Sequence, residues 1–221
     1  MAEHDEKNEV LDQAEETSRT AVERGEDIQN EVRDITLKAL SEGRLDAKRT
    51  QQVIKAVLLG ASQGAEAKGT QSRQALLDAM AGVDEALARS TEASKLAIEE
   101  AAGRLKDFGN QDLRRALDDL LILEDLFLDT VKDVAKASKE TVSETLNDLA
   151  QHARNSGTAV GSLAADTVAT LSSELQKTLR DTVSTGSDAA IKTAIQLSRA
   201  AAGFLEGIAD SLQAKTRSKK D

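Results

Sequence analysis

Charged residues are almost absent from three rows of positions that run along this chain in steps of eleven residues. The rows begin at Val10, Ala14 and Thr17, and they stay in register as far as Leu212. Although 31% of the chain is charged, Glu124 is the only charged residue on these rows. Because so many positions exclude charge in one frame, any fold of this chain has to explain them together.

The spacing of the rows predicts α-helices with one uncharged face. Eleven residues in three turns correspond to about 3.67 residues per turn, which is close to a straight α-helix. Positions offset by zero, four and seven then fall within roughly 35° of a common line, which we call the stripe. We therefore predict an all-α protein of very long amphipathic helices, arranged as an antiparallel hairpin or an elongated bundle with short N-terminal helices.

The residues available for a core are small. The chain has no Pro, Cys, Trp or Tyr and only three Phe, and Ala, Gly, Ser and Thr fill about half of the stripe. Since each of these side chains buries little apolar area, a compact core would be thin. We expect burial to come from helix–helix contact, self-association or an external apolar surface.

Turn chemistry divides the stripe into segments. Breaks are expected around Gly25, Gly43 and Gly109, and a further break is possible at Gly157, because glycine readily ends helices. Each predicted segment is given by its residue range: short N-terminal helices in 1–45 (about 5–24 and 27–41), long helix one in 46–109, long helix two in 110–214 with a possible break near 156, and a basic flexible tail in 215–221.

The charge balance limits the classes of partner. The net charge is −10 and the pI is about 4.9, so we expect no nucleic-acid binding, which needs clustered Lys and Arg. No apolar run approaches the roughly 18 residues of a transmembrane segment. Without a signal sequence or cysteine, the chain is expected to be cytoplasmic, with association to a granule or membrane surface left open.

Catalytic motifs are not found in the sequence. The two histidines, His4 and His152, are far apart and belong to no metal-binding spacing. The glycine-rich stretch from Gly60 to Thr70 lacks the ending of a phosphate loop. We therefore predict that the protein is not an enzyme and has no catalytic residues, cofactor or metal.

Glu124 is the exception that the stripe has to accommodate. On a helix it points in the same direction as Leu117, Leu120, Leu128 and Val131. Its long side chain either bends to the edge of the stripe and reaches water, or pairs with Lys or Arg of another helix or chain. Our hypothesis is that Glu124 sets the register of helix pairing.

The surface- or partner-binding residues are expected in the more apolar, C-terminal half of the stripe. These residues are Leu120, Phe127, Val131, Val142, Leu146, Leu149, Val160, Val168, Leu171, Leu175, Leu179, Phe204 and Ile208.

The eleven-residue stripe resembles the surface helices of perilipins, apolipoproteins and synucleins. The segment DVAKASKETVSETLNDLAQHARNSG is also similar to the Ala-rich, Pro-poor helices of phasins. The phasin resemblance implies a non-catalytic, often oligomeric coat on polyhydroxyalkanoate granules. Two functions stay open: a coat on a granule, lipid droplet or neutral membrane, and a soluble scaffold whose stripe is used in coiled-coil-like homo-oligomerisation.

Overall fold

The protein is all-α throughout the part that the structure describes. The computed structural model describes residues 2–42, 47–103, 120 and 122–183, and every regular element in these ranges is a helix. The prediction of an all-α protein is therefore confirmed. None of the described helices is long and apolar enough to cross a membrane.

The described α-helices range from 14 residues in α2 to 32 residues in α4. Their bounds are α1 Ala2–Arg24, α2 Ile28–Ser41, α3 Ala47–Glu66, a 3₁₀ turn Gly69–Gln71, α4 Ser72–Gly103, α5 Leu123–Ala137, α6 Glu140–Ser156 and α7 Ala159–Val183.

The helices pack as stacked helical hairpins. Helix α1 lies on α3 and α3 lies on α5, while α2 lies on α4 and α4 lies on α6 and α7. The backbone of Glu15 lies against Gly60 and that of Arg19 against Gly64, so α1 and α3 run in the same direction. Helices α3 and α4 are therefore the middle layer, with α1–α2 on one side and α5–α7 on the other.

The stripe is the core of this arrangement. Most of its described positions are buried, and the surfaces that cover them are those of neighbouring helices. The largest stripe side chains that are almost fully buried are Val32, Ile54, Leu58, Leu76, Leu87, Phe127 and Leu146. The eleven-residue frame therefore predicts correctly which face of each helix is buried.

Small residues let the helix backbones approach closely. A side chain at Gly60 would overlap the carbonyl oxygen of Glu15 in α1, and a side chain at Gly82 would overlap that of Gln29 in α2. Between α1 and α3, the buried hydroxyl of Ser18 donates a 2.8 Å hydrogen bond to the carbonyl oxygen of Val57. The packing therefore depends on close backbone contact as well as on large side chains.

Three turns occur at glycines that belong to the stripe itself. Gly25, Gly69 and Gly157 have φ values of 77°, 56° and 82°, a region that glycine adopts without steric cost. All three lie on the row that begins at Ala14. Because each turn replaces a stripe position rather than adding residues between positions, the frame continues unchanged into the next helix.

The break at Gly69 differs from the predicted long helix one. The last turn of α3 tightens, with the amide of Lys68 donating to the carbonyl of Ala65 over 3.0 Å, and Gly69 then takes its left-handed conformation. The sequence pattern predicts no break here, because the eleven-residue frame continues through Gly69 without a shift, although Thr70 and Ser72 follow it. Long helix one is therefore two helices, α3 and α4, in the structure.

A second unexpected break separates α5 from α6. Ser138 and Lys139 are both extended, with ψ values of 164° and 155°. The Ser138 hydroxyl donates to the carbonyl of Val134 over 2.9 Å, and its amide donates to that of Ala135 over 3.2 Å. Ser138 thus satisfies carbonyls that the end of α5 leaves without helical partners.

The other predicted boundaries agree with the structure where it describes them. The short N-terminal helices are α1 and α2, the following helix begins at Ala47, and the possible break near residue 156 is present at Gly157. The predicted turn at Gly109, residues 184–214 of long helix two and the basic tail 215–221 lie outside the described residues.

We expect Gly60→Ala to destabilise the protein, although alanine favours helices more than glycine. The added methyl group would force α1 away from α3, and overpacking of this kind costs about 1–3 kcal/mol. Urea denaturation would measure the change in unfolding free energy. Gln52→Ala, at an exposed position of the same helix, is the control and should change it by less than about 0.5 kcal/mol. A neutral Gly60→Ala would contradict the close packing.

Candidate functional site: the stripe and the cap of α7

The structure brings much of the predicted binding face into the protein's own core. Seven of the predicted residues are buried, Val168 is half-buried, and the remaining five cannot be compared. The buried residues are Leu120, Phe127, Val131, Val142, Leu146, Leu149 and Val160. Leu171, Leu175 and Leu179 belong to α7 but their side chains lie outside the description, as do Phe204 and Ile208 altogether.

An open groove marks a place where the stripe of α1 and α2 borders solvent. Its volume is about 300 Å³. The stripe residues Val10 and Thr17 lie along it, and Asp34, Lys38 and Glu42 line it from α2 and the residue that follows. Its lining is therefore apolar with charged residues along one side.

Glu124 belongs to the first turn of α5, and its carboxylate accepts hydrogen bonds from the start of α7. Its Oε1 atom accepts from the backbone amide of Thr158 over 3.1 Å and from the Thr158 hydroxyl over 2.7 Å. Neither partner is Lys or Arg, so among the described residues Glu124 joins α5 to α7 through a neutral group. The hypothesis that Glu124 sets register stays a prediction, but its contact is within the chain.

Asp84 reaches the same helix end from α4. Its Oδ2 atom accepts from the amide of Ala159 over 2.8 Å, and its Oδ1 atom accepts from the amide of Val160 over 2.9 Å. A helix N-terminus carries a partial positive charge, so two carboxylates at this position are favourably placed. Sequence analysis gave no sign of Asp84, because it lies far from α7 along the chain.

Together these contacts satisfy the four free amides at the start of α7. The amide of Thr158 bonds Glu124, those of Ala159 and Val160 bond Asp84, and that of Gly161 bonds the Thr158 hydroxyl over 3.0 Å. In a local capping box, a Glu three residues after the cap would accept the Thr158 amide. Here Gly161 occupies that position, and Glu124 of α5 performs the role from another helix.

Gly161 is the residue that makes room for this arrangement. A Cβ atom there would overlap the carboxylate of Glu124. The sequence signal for this arrangement is weak. A Thr cap followed three positions later by Gly predicts an ordinary helix start and gives no sign of an acidic partner from another helix. We call Asp84, Glu124, Thr158 and Gly161 the α7 cap.

Burial raises the pKa of the Asp84 carboxyl above its ordinary value. The amides of Val160 and Ala159 act in the opposite direction, and the negative charge of Glu124 adds to the rise. Since the charged form of Asp84 is held near a second carboxylate and away from water, its hydrogen bonds to α7 offset part of an electrostatic cost.

The α7 cap is suited to positioning a helix. Its acceptors are already used by backbone amides, and among the described residues no group of three or more His, Asp or Glu side chains is arranged to hold a metal ion. The arrangement therefore fixes the residue at which α7 begins and the position of its first turn against α4 and α5.

Comparison with known proteins places the chain in a family without giving it an activity. The model of a family described as being of unknown function, DUF6781, matches residues 4–214, which include the α7 cap and almost the whole stripe. No curated protein and no solved structure matches the chain.

We expect the effect of Gly161→Ala to change sign with the residue at position 124. In the wild-type background the methyl group should displace Glu124 and lower the unfolding free energy by about 1 kcal/mol, as loss of a cap does. In a Glu124→Ala background the overlap is absent, so alanine should stabilise α7 by up to about 1 kcal/mol. Urea denaturation of the four proteins in this cycle measures the coupling, and additive effects would contradict the contact.

The stability that Asp84 contributes should depend on pH in a defined direction. Its pKa is higher in the folded protein than in the unfolded chain, so the folded state binds the proton more strongly. Relative to Asp84→Asn, the wild type should therefore gain stability as the pH falls from neutral through the raised pKa. Denaturation of both proteins across this range tests it, and a wild type that loses stability relative to Asp84→Asn towards acid would contradict the direction.

Proposed function

The chain belongs to DUF6781, a family of unknown function, and we propose that it is a non-catalytic helical protein that binds an apolar surface. The surface is a polyhydroxyalkanoate granule, a lipid droplet or a neutral membrane, bound in a phasin-like manner. In this proposal the bundle is a folded body, and the stripe from Val168 onward is the surface-binding arm.

The observation that carries the proposal is the continuation of the stripe beyond the residues that the described core accounts for. The three rows run from Val168 to Leu212 without a charged residue. In α1 to α6 the same pattern corresponds to burial against neighbouring helices. Exclusion of charge over the later segment therefore supports an apolar partner for it as well.

The side chains of this later segment suit contact with an apolar surface. Leu171, Leu175 and Leu179 continue the face on which α7 contributes Val160 and Ala164 to the bundle. Full burial of a leucine side chain is worth roughly 1.5–3 kcal/mol, more than an Ala or Thr of the earlier stripe contributes. Several such residues on one helix face provide reversible adsorption without a transmembrane segment.

A second candidate function is a homo-oligomeric scaffold that uses the same later stripe. It is favoured by the close packing inside the bundle, where Gly60, Gly64 and Gly82 let helix backbones come together. A chain whose stripe already pairs helices within one molecule has the residues to pair them between molecules. The two functions differ in whether the partner is a second copy or an apolar phase.

We expect the purified protein to float with polyhydroxybutyrate particles or with a neutral-oil emulsion in a density gradient. Leu171→Lys with Leu175→Lys should reduce the bound fraction at least tenfold, because two charges would have to enter the apolar phase. The control is Ala169→Lys with Ser173→Lys, which adds the same charges at the same spacing on exposed positions of α7. Control binding should match the wild type.

Three results would contradict the coat function. They are failure of the wild type to float with either phase, flotation of the Leu variant at the wild-type level, and equal loss in the control. Light scattering of the unbound protein distinguishes the scaffold: a single mass above one chain that falls to one chain in the Leu variant, without flotation, would establish the second candidate instead.

A further inference from the structure

Between Ala159 and Thr170, the side chains that α7 buries against the bundle are small. Its fully described buried side chains are Val160, Ala164 and Thr167, and Val168 is half-buried. Helix α5, in contrast, buries Phe127 and Leu128 among other residues of the core. Since buried apolar area is the main source of attachment between helices, each of these α7 residues contributes less attachment than Phe127 or Leu128 does.

One of the buried side chains of α7 weakens the attachment further. The Thr167 hydroxyl is completely buried, and it has no hydrogen-bond partner among the described residues. A buried polar group without a partner favours states in which water can reach it. Separation of α7 from the bundle would provide that water.

The polar cap holds the first turn of α7 in place beside these small buried side chains. It joins the first turn of the helix to Asp84 of α4 and Glu124 of α5, while the link to α6 consists of Gly157 and Thr158. Gly157 has a φ of 82°, so the chain changes direction there without steric cost. Gly157 therefore provides a hinge next to the hydrogen bonds of the α7 cap.

Helix α7 packs against α4, and Asp84 of α4 bonds the first turn of α7. Arg73 pairs with Asp148 of α6 over 3.5 Å, and eleven residues later Asp84 bonds Ala159. Leu87 and Thr91 lie one and two turns beyond Asp84 on the same side of α4, and both are buried. Departure of α7 would expose the surfaces of α4 and α7 that pack against each other.

We propose that α7 is a detachable arm of the bundle, with the α7 cap as its latch and Gly157 as its hinge. When the cap opens, α7 leaves α4 while the remaining helices stay folded, and its uncharged face becomes available to an apolar surface. The last step depends on the proposed coat function, whereas opening of the latch does not.

Native-state amide hydrogen exchange of the full chain tests the latch without any apolar surface present. In Asp84→Asn with Glu124→Gln, protection of the amides in 162–183 should fall about tenfold, the factor expected for loss of a cap. Protection in α1 to α3 should stay within about twofold of the wild type. Equal losses throughout, or unchanged protection of α7, would overturn the proposal.

Two further variants separate the latch from general effects of charge and folding. Glu92→Gln with Asp166→Asn removes the same number of charges from exposed positions of α4 and α7, and its exchange should match the wild type. Gly161→Ala disturbs the cap without changing any charge and should reproduce the local loss of protection. A control that opens α7 as much as the cap variant would overturn the latch.

Flotation of the cap variant then tests whether opening serves surface binding. Increased flotation relative to the wild type supports the arm as the surface-binding element. Local opening of α7 with unchanged flotation would overturn that connection and count against the coat function, while the latch itself, established by exchange, would stand.

Discussion

Close contact between helices that carry small residues on an uncharged face is the constraint on which this structure depends. The stripe offers few large side chains, so the helices bury enough surface only by bringing their backbones together. Gly60 and Gly82 permit this approach, and Ser18 uses it to bond a carbonyl of the neighbouring helix. Charge is excluded from the stripe because a charged side chain in such a contact would be both buried and without space.

The stripe predicts the buried face of each helix but not the length of the helices. The eleven-residue spacing specifies which side of a helix each stripe residue lies on. A turn that takes up one stripe position does not shift this spacing, so the next helix continues in the same frame. Gly25 and Gly157 were recognisable as turns because polar or capping residues accompany them. Gly69 has such neighbours too, Thr70 and Ser72, but the helical pattern continues on both sides of it and predicts no break. Ser138 ends α5 by bonding its own helix through an ordinary extended conformation.

The charge at Glu124 was identifiable from the sequence, but its partner was not. The capping function is divided among α4, α5 and the start of α7, and the residues are 34 or more positions from one another across these elements. Local capping motifs are readable because their members lie three residues apart. Here Glu124 replaces the acidic residue that a local capping box would have at position 161. The sequence therefore shows a charge on the stripe in one segment and Gly161 in another, and no spacing relates the two.

The charge-free face of the C-terminal part of the stripe can be compared with the faces that the described helices bury or expose. A helix face that meets only water accepts Lys and Glu at little cost, as the exposed residues Asp133 and Lys136 of α5 illustrate. A face kept free of charge from Val168 to Leu212 therefore supports the apolar partner that we propose. In α1 to α6 that partner is the chain itself, at positions filled largely by Ala, Val and Thr. The later positions include Leu171, Leu175, Phe204 and Ile208, whose larger side chains suit a deformable apolar surface better than the close backbone packing that the glycines of α3 and α4 provide.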